Sequence, residues 1–345
     1  TTDDNGQFQI TAQQAGCNYK LIPSFTNDIP NAGINTLDAL LVGGHIDGIQ
    51  LLDSPFKMLA GDVDGSGGLD PVDIQTIINV ILGVQADFPA KPTWQFILSG
   101  YQFPNPDKPW TASVPAATPF FCLSGDMSAP VADFTAVKTG DVNGSASDNF
   151  HKQEINDRQK SESVVFTTSN QEFKPGMEVR VEITTPDLAG LTGFQYTLDF
   201  DPAVLSFVTV EPDLIPVEHT ATPGTGHITS SWHSTIMLDP TIIGKNMRVR
   251  AYTLLFQALQ SGDLKNVLSM SSSVTPAEAY NRLLQPVSVR LTFQEDPSNP
   301  KGRLQLLPVT PNPTRDRVTA TYFLPESGET TLTLTDSRGM VVKSV

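Results

Sequence analysis

The segment Asp62-Val-Asp-Gly-Ser-Gly-Gly-Leu-Asp-Pro-Val-Asp73 carries oxygen-bearing side chains at the first, third, fifth, ninth and twelfth of its positions. That spacing suits a hard divalent cation. Calcium takes about six to eight oxygen ligands, and a short loop supplies them by wrapping around one point. Asp62 stands first, followed by Asp64, Ser66, the carbonyl of Gly68, Asp70 acting through a water, and Asp73 in the last place. Gly67 falls where such a loop turns sharply, Leu69 brings an apolar side chain to the core, and Pro71 fits the first turn of a following helix. A plain Gly/Asp-rich surface turn needs no such recurrence of oxygens. A phosphate-gripping loop is disfavoured, since the segment has no lysine and its four carboxylates repel an anion.

Two further segments resemble parts of this loop. In Asn27-Asp-Ile-Pro-Asn-Ala-Gly-Ile-Asn-Thr-Leu-Asp38, Asp38 and Asn35 hold the last and ninth places with Asp28 near the front, but Ile29 occupies the third place. A second calcium site and a structural turn both fit. Asp141-Val-Asn143-Gly-Ser145 opens like the main loop, but its twelfth place is Lys152, so it reads as a turn or as a partial ion site. Asn143-Gly-Ser145 also matches the N-glycosylation sequon.

No catalytic constellation emerges. The five histidines form no HExxH pair, and there is no G-x-S-x-G elbow, P-loop or dinucleotide fingerprint. His227 and His233 lie on one side of an expected strand, where two ordinary histidines are favoured over a metal pair. We expect no enzyme activity.

The elements around these residues change along the chain. Residues 1–24 read as terminal strands of a partial β-sandwich. Residues 25–148 form the calcium module with an extension rich in proline and aromatics. Its helices are marked by Ile74, Ile77, Ile78 and Ile81, ended by Gly83, and by Leu37, Leu40 and Leu41 before Gly43 and Gly44. Residues 149–162 are a polar linker. Over 163–294 the period becomes two, as in Met177, Val179, Val181 and Ile183 or Phe194, Tyr196, Leu198 and Phe200, which indicates an antiparallel sandwich. Residues 303–345 begin another β unit of about three strands. The fold class is mainly β with a small α part, flanked by partial Ig-like units at both ends.

Charge narrows the partners. With 22 basic against 37 acidic residues and a net charge of −15, neither nucleic acid nor an anionic membrane is an expected partner. No apolar run has the length of a membrane helix, about 20 residues. No signal-peptide pattern stands at Thr1, so an exported chain would have lost its leader or carry it upstream. Cys17 and Cys122 are too few for a disulfide framework, and whether they form one bridge is left open by sequence.

The loop–helix segments resemble the dockerin family, in which calcium loops with Asp in the last place are duplicated. Lys174-Pro-Gly-Met-Glu-Val-Arg-Val181, the run from Leu191 to Phe207, Ile228-Thr-Ser-Ser-Trp232 and Ala277-Glu-Ala-Tyr-Asn281 are similar to a cohesin-type sandwich. Pro311-Asn-Pro-Thr, with Leu324–Glu329 and Asp336–Val342, resembles the C-terminal sorting domain of the type IX secretion system, and the opening strands resemble a carboxypeptidase-regulatory-type sandwich. These resemblances imply export to the cell surface of a Gram-negative bacterium, calcium as cofactor, and other protein chains as partners, self-association included. The expected function is a calcium-stabilised structural subunit assembling head-to-tail into a filament by strand complementation or dockerin–cohesin-like contacts. The alternative is an accessory adhesion or glycan-binding region of a larger secreted protein.

Overall fold

A computed structural model describes residues 8, 18–25, 29–122, 132–146, 163–186, 188–235, 249–295, 305–306, 319–323, 330–336 and 338–344. Asp28, Cys17, His151 and the linker expected at 149–162 lie outside them.

The front module is built on three helices, α1 (Thr36–Ile46), α2 (Pro55–Gly61) and α3 (Pro71–Ile81). Helix α3 buries Ile77, Ile78 and Ile81 as the apolar spacing requires, and Gly83, at φ +71°, follows its last turn. Helix α1 does not stop at Gly43–Gly44, as the sequence suggests, but runs through them to Ile46. The glycine serves packing here: a Cβ on Gly43 would stand 3.0 Å from Thr235 Cγ2 on the neighbouring sandwich. Helix α2 carries no apolar periodicity long enough to announce it. Ser54 caps it by accepting the Phe56 N–H, and Pro55 begins it. Two short antiparallel pairs complete the module. Strand β1 (Asn18–Tyr19) pairs with β3 (Phe121–Cys122), and β2 (Trp94–Leu98) pairs with β4 (Phe134–Lys138). One apolar cluster joins Val42, Leu59, Val63, Ile77, Phe88, Ile97 and Val142.

The sandwich comprises β5 (Ser163–Asn170), β6 (Glu172–Phe173), β7 (Glu178–Thr185), β8 (Leu191–Phe200), β9 (Leu205–Pro212), β10 (Thr220–Gly224), β11 (His227–His233) and β12 (Val249–Ala258). It continues with β13 (Gly262–Asp263), the one-turn helix α4 (Leu264–Val267), β14 (Leu268–Ser271), β15 (Glu278–Asn281) and β16 (Pro286–Glu295). Strands follow one another in the order β10-β11-β8-β15-β16-β5-β7-β12-β9, with β14 also on β8. The ribbon closes over its own core. Phe194, Tyr196 and Leu198 of β8 meet Tyr252, Leu254 and Phe256 of β12 in one buried cluster, where the two tyrosine hydroxyls hydrogen-bond at 2.7 Å.

The expected all-antiparallel pairing needs one correction, because β16 runs parallel to β5 from Ser288–Ser163 to Glu295–Asn170. These strands end and begin the sandwich, and a parallel neighbour needs a long intervening connection. Farther on, β17 (Gln305–Leu306) pairs with β18 (Tyr322–Phe323), and β19 (Thr333–Thr335) with β20 (Val341–Ser344). Leu334, Met340, Val341 and Val342 of the last hairpin are all more than half exposed.

The module lies on the β8–β11 face of the sandwich. That explains a departure from simple alternation: Gln195, Thr197, Thr229, Ser231 and Thr275 are polar yet wholly buried. Each finds a partner there. Gln195 Oε1 accepts the Thr36 N–H at 2.6 Å and the Thr36 hydroxyl at 2.9 Å, and Ser231 Oγ lies 2.7 Å from that hydroxyl. Thr229 donates to the Leu82 carbonyl at 2.7 Å and Thr275 to that of Ile81 at 2.6 Å. Sandwich side chains thus satisfy orphan groups at the start of α1 and the end of α3. Thr275 is itself held by Thr197, whose hydroxyl donates to the Thr275 carbonyl at 3.1 Å and accepts its N–H at 2.9 Å.

Candidate metal centre

The loop from Asp62 to Asp73 leads from the end of α2 into the first turn of α3. One carboxylate oxygen each from Asp62, Asp64 and Asp73 lies within 4.8 Å of the others. Gly65 and Gly67, at φ +71° and +83°, make the turns that bring them together. Asp73, in the first turn of α3, organises the loop backbone. Its Oδ1 accepts the N–H groups of Val63 at 2.8 Å and Asp64 at 3.3 Å, and its Oδ2 that of Asp70 at 2.9 Å. Asp70 caps α3 by accepting the Val72 N–H at 2.7 Å, and Asp64 Oδ1 accepts that of Ser66 at 2.8 Å. Ser66 is exposed at the rim and Gly68 half-buried behind it. Burial pushes the Asp73 carboxyl up to about 6, so the protein leaves this anion short of compensation. Hard oxygens, crowded and buried, fit a divalent cation. A calcium ion held there would supply positive charge to the clustered carboxylates and tie the loop to α3.

The two segments read separately in the sequence lie together. Asp38 Oδ1 accepts the N–H groups of Val142 at 2.8 Å and Asn143 at 2.9 Å, and its Oδ2 that of Asn35 at 2.9 Å. This is the bonding of Asp73, repeated. Asn143 Oδ1 accepts the Ser145 N–H at 2.8 Å, as Asp64 does for Ser66. Asp141 accepts the N–H groups of Ser145 at 2.9 Å and Ala146 at 3.0 Å, and Asn35 caps α1 by accepting the Leu37 N–H at 3.0 Å. Residues 141–146 therefore stand where 62–67 stand in the first loop, and 33–38 where 68–73 stand. Gly144 repeats the positive φ of Gly65, and buried Ile34 takes the apolar place of Leu69. The break falls between Ala146 and Gly33, where the chains are so close that a Cβ on Gly33 would lie 2.6 Å from Ala146. Ser145 Oγ bridges the break, donating to the Gly33 carbonyl at 2.8 Å. Burial, then the charge of Asp141, drives the Asp38 carboxyl well above the carboxylate range, and burial likewise raises Asp141.

Lys91 was not legible as part of the first loop. It reaches back to Asp62 with an ion pair of 2.9 Å between side chains 14% and 3% exposed. The histidines take separate partners. His227 pairs with Asp199 at 2.8 Å, whereas His233 stands against His219 with ring centroids 5.9 Å apart. His45 Nδ1 accepts the Leu52 N–H at 3.0 Å. Among the described residues no helix is long and apolar enough to cross a membrane.

No family model matches the chain, and none of the curated proteins compared with it does. Solved structures similar to part of it include cohesins. The sixth cohesin of Acetivibrio cellulolyticus scaffoldin B, in complex with a mutant Cel5 dockerin, is 16% identical over 39% of this chain and 99% of that one, with a TM-score of 0.29. A type I cohesin–dockerin complex of Clostridium thermocellum gives 10% identity, 39% and 100% coverage, and a TM-score of 0.27. A non-cellulosomal cohesin of Archaeoglobus fulgidus gives 12%, 40% and 94%, and 0.27.

Proposed function

We propose that this chain is a non-catalytic, calcium-stabilised interaction and structural protein of the bacterial cell surface, with two ion sites in its front module. The observation that carries this reading is the twelve-position bonding scheme, found once in a continuous loop and again in a loop assembled from residues 141–146 and 33–38. The first ion takes Asp62, Asp64, Ser66, the Gly68 carbonyl, Asp70 and Asp73. The second takes Asp141, Asn143, Ser145, Asn35 and Asp38, and with two carboxylates in place of four it binds more weakly. Because each site ties together backbone that the unfolded chain leaves apart, ion binding contributes directly to folding.

Export through a type IX route is supported by the resemblance of the segments within 311–342 to that sorting domain. Self-association is supported by the last hairpin, whose apolar Leu334, Met340, Val341 and Val342 are open to a strand from another chain. A dockerin–cohesin-like contact between chains would have to use another face of the sandwich, since α1 and α3 cover the β8–β11 face within the chain.

Scanning calorimetry of the whole chain tests the calcium reading. With free calcium 100-fold above its dissociation constant, the ion contributes about 2.7 kcal/mol per site, and the first melting transition moves up accordingly. Identical traces in calcium and in EDTA would refute it. Negative-stain microscopy tests association: filaments or oligomers are expected, and a uniform field of monomers in calcium counts against it.

A further inference from the structure

The Lys91–Asp62 ion pair engages a carboxylate of the same cluster that the proposed ion would use. Asp62 has two oxygens, and Oδ1 faces the loop backbone, 3.4 Å from the Gly67 nitrogen. The Lys91 ammonium stands 2.9 Å from the other oxygen, Oδ2. The lysine is held in place. Its backbone N–H donates to the Phe88 carbonyl at 3.2 Å, its stem runs 3.6 Å from where a Gly65 Cβ would be, and its Nζ lies 3.5 Å from the Leu59 carbonyl. A calcium ion about 2.4 Å from that oxygen would put a double charge within about 5 Å of the ammonium, in a setting too buried for water to screen it well.

We propose, on the basis of the calcium reading above, that Lys91 is a resident counter-cation of the first loop. It holds Asp62 when the ion is absent and must withdraw when the ion enters. Two consequences follow from one residue. Without the ion the loop is strained less than four crowded carboxylates alone would make it, because one of them is already neutralised. The affinity for calcium is set lower than the acidic ligand set alone would give, since binding includes breaking a buried ion pair. The first loop then responds to calcium over a higher concentration range than its sequence suggests.

The test compares the whole chain with Lys91→Met, which keeps the stem over Gly65 and removes the charge. Calcium chloride is titrated by calorimetry. Terbium luminescence sensitised through Trp110, whose ring lies 3.6 Å from the Cβ position of Gly67, follows occupancy of this loop. The expected result is a dissociation constant at least tenfold lower in Lys91→Met, a lower melting temperature in EDTA, and hence a wider calcium-induced shift. Lys91→Gln serves in the same way if the methionine variant does not fold. A wild-type chain that binds calcium no more weakly than the variants would overturn the inference while leaving the calcium reading intact. Absence of binding in wild type and variants alike would overturn both, and uptake by the variants alone would be its extreme confirmation.

Discussion

Replacing Gln195 with alanine should release the front module from the sandwich without unfolding the sandwich. Gln195 is completely buried and touches the module through Thr36, the first residue of α1, whose N–H has no acceptor inside its own helix. Truncation strands that N–H in a dry interface, at a cost of about 1–3 kcal/mol. Loss of Cγ, the one methylene that alanine lacks, adds about 1 kcal/mol. The Thr36 hydroxyl adds little, because Ser231 Oγ still lies 2.7 Å from it. The sum is about 2–4 kcal/mol, equivalent to a fall of about 30- to 1,000-fold in amide protection. Hydrogen exchange read at Thr36 and Leu37 measures it directly, with Leu254 and Phe256 in β12 as internal controls that should not change. Equal protection of Thr36 in variant and wild type, or a loss spread evenly into β12, would refute the account of the interface.

Three other outcomes follow from the same geometry. Asp141→Asn should reduce calcium uptake from two ions to one while leaving terbium luminescence at the first loop unchanged; retention of two ions would separate residues 141–146 from any ion site. Gly140→Ala should destabilise the module by about 3–5 kcal/mol in urea titration, because φ is +89° and the new Cβ would lie 2.5 Å from the Phe88 ring. Burial, and then the His219 ring, lowers the His233 imidazole from 6.5 to about 4. The unfolded chain therefore takes up a proton below pH 6.5 that the folded chain refuses, and stability falls as pH drops through that window. The loss between pH 7 and pH 5 is about 2 kcal/mol, with His219, also lowered by burial, acting in the same direction. His233→Asn should flatten this dependence in melts with saturating calcium.

Much of this arrangement could be read from residue order alone, because the relevant physics is local. The first loop is continuous, so its oxygens, its glycines and Pro71 announce themselves by spacing. Alternation marks β7, β8 and β16 because each strand carries its own period. What escaped reading depends on contacts distant in sequence. The front and back halves of the second loop lie more than a hundred residues apart and in reversed order, so no window contains both Asp141 and Asp38. Gln195 and Thr229 look like solvent-facing polar residues until a second module covers them. Gly43 and Gly44 look like a helix end, but one of them is small because Thr235 approaches. Lys91 carries no motif at all, and only the fold of the aromatic-rich extension brings it to Asp62.

The central claim is that calcium occupies both loops of the front module. Crystals of the whole chain grown in calcium, with data collected at a wavelength where calcium scatters anomalously, test it most directly. The account predicts two anomalous peaks, one among Asp62, Asp64 and Asp73 and a second among Asp141, Asn143 and Asp38. A map with neither peak, and with these carboxylates turned outward to solvent, would contradict it.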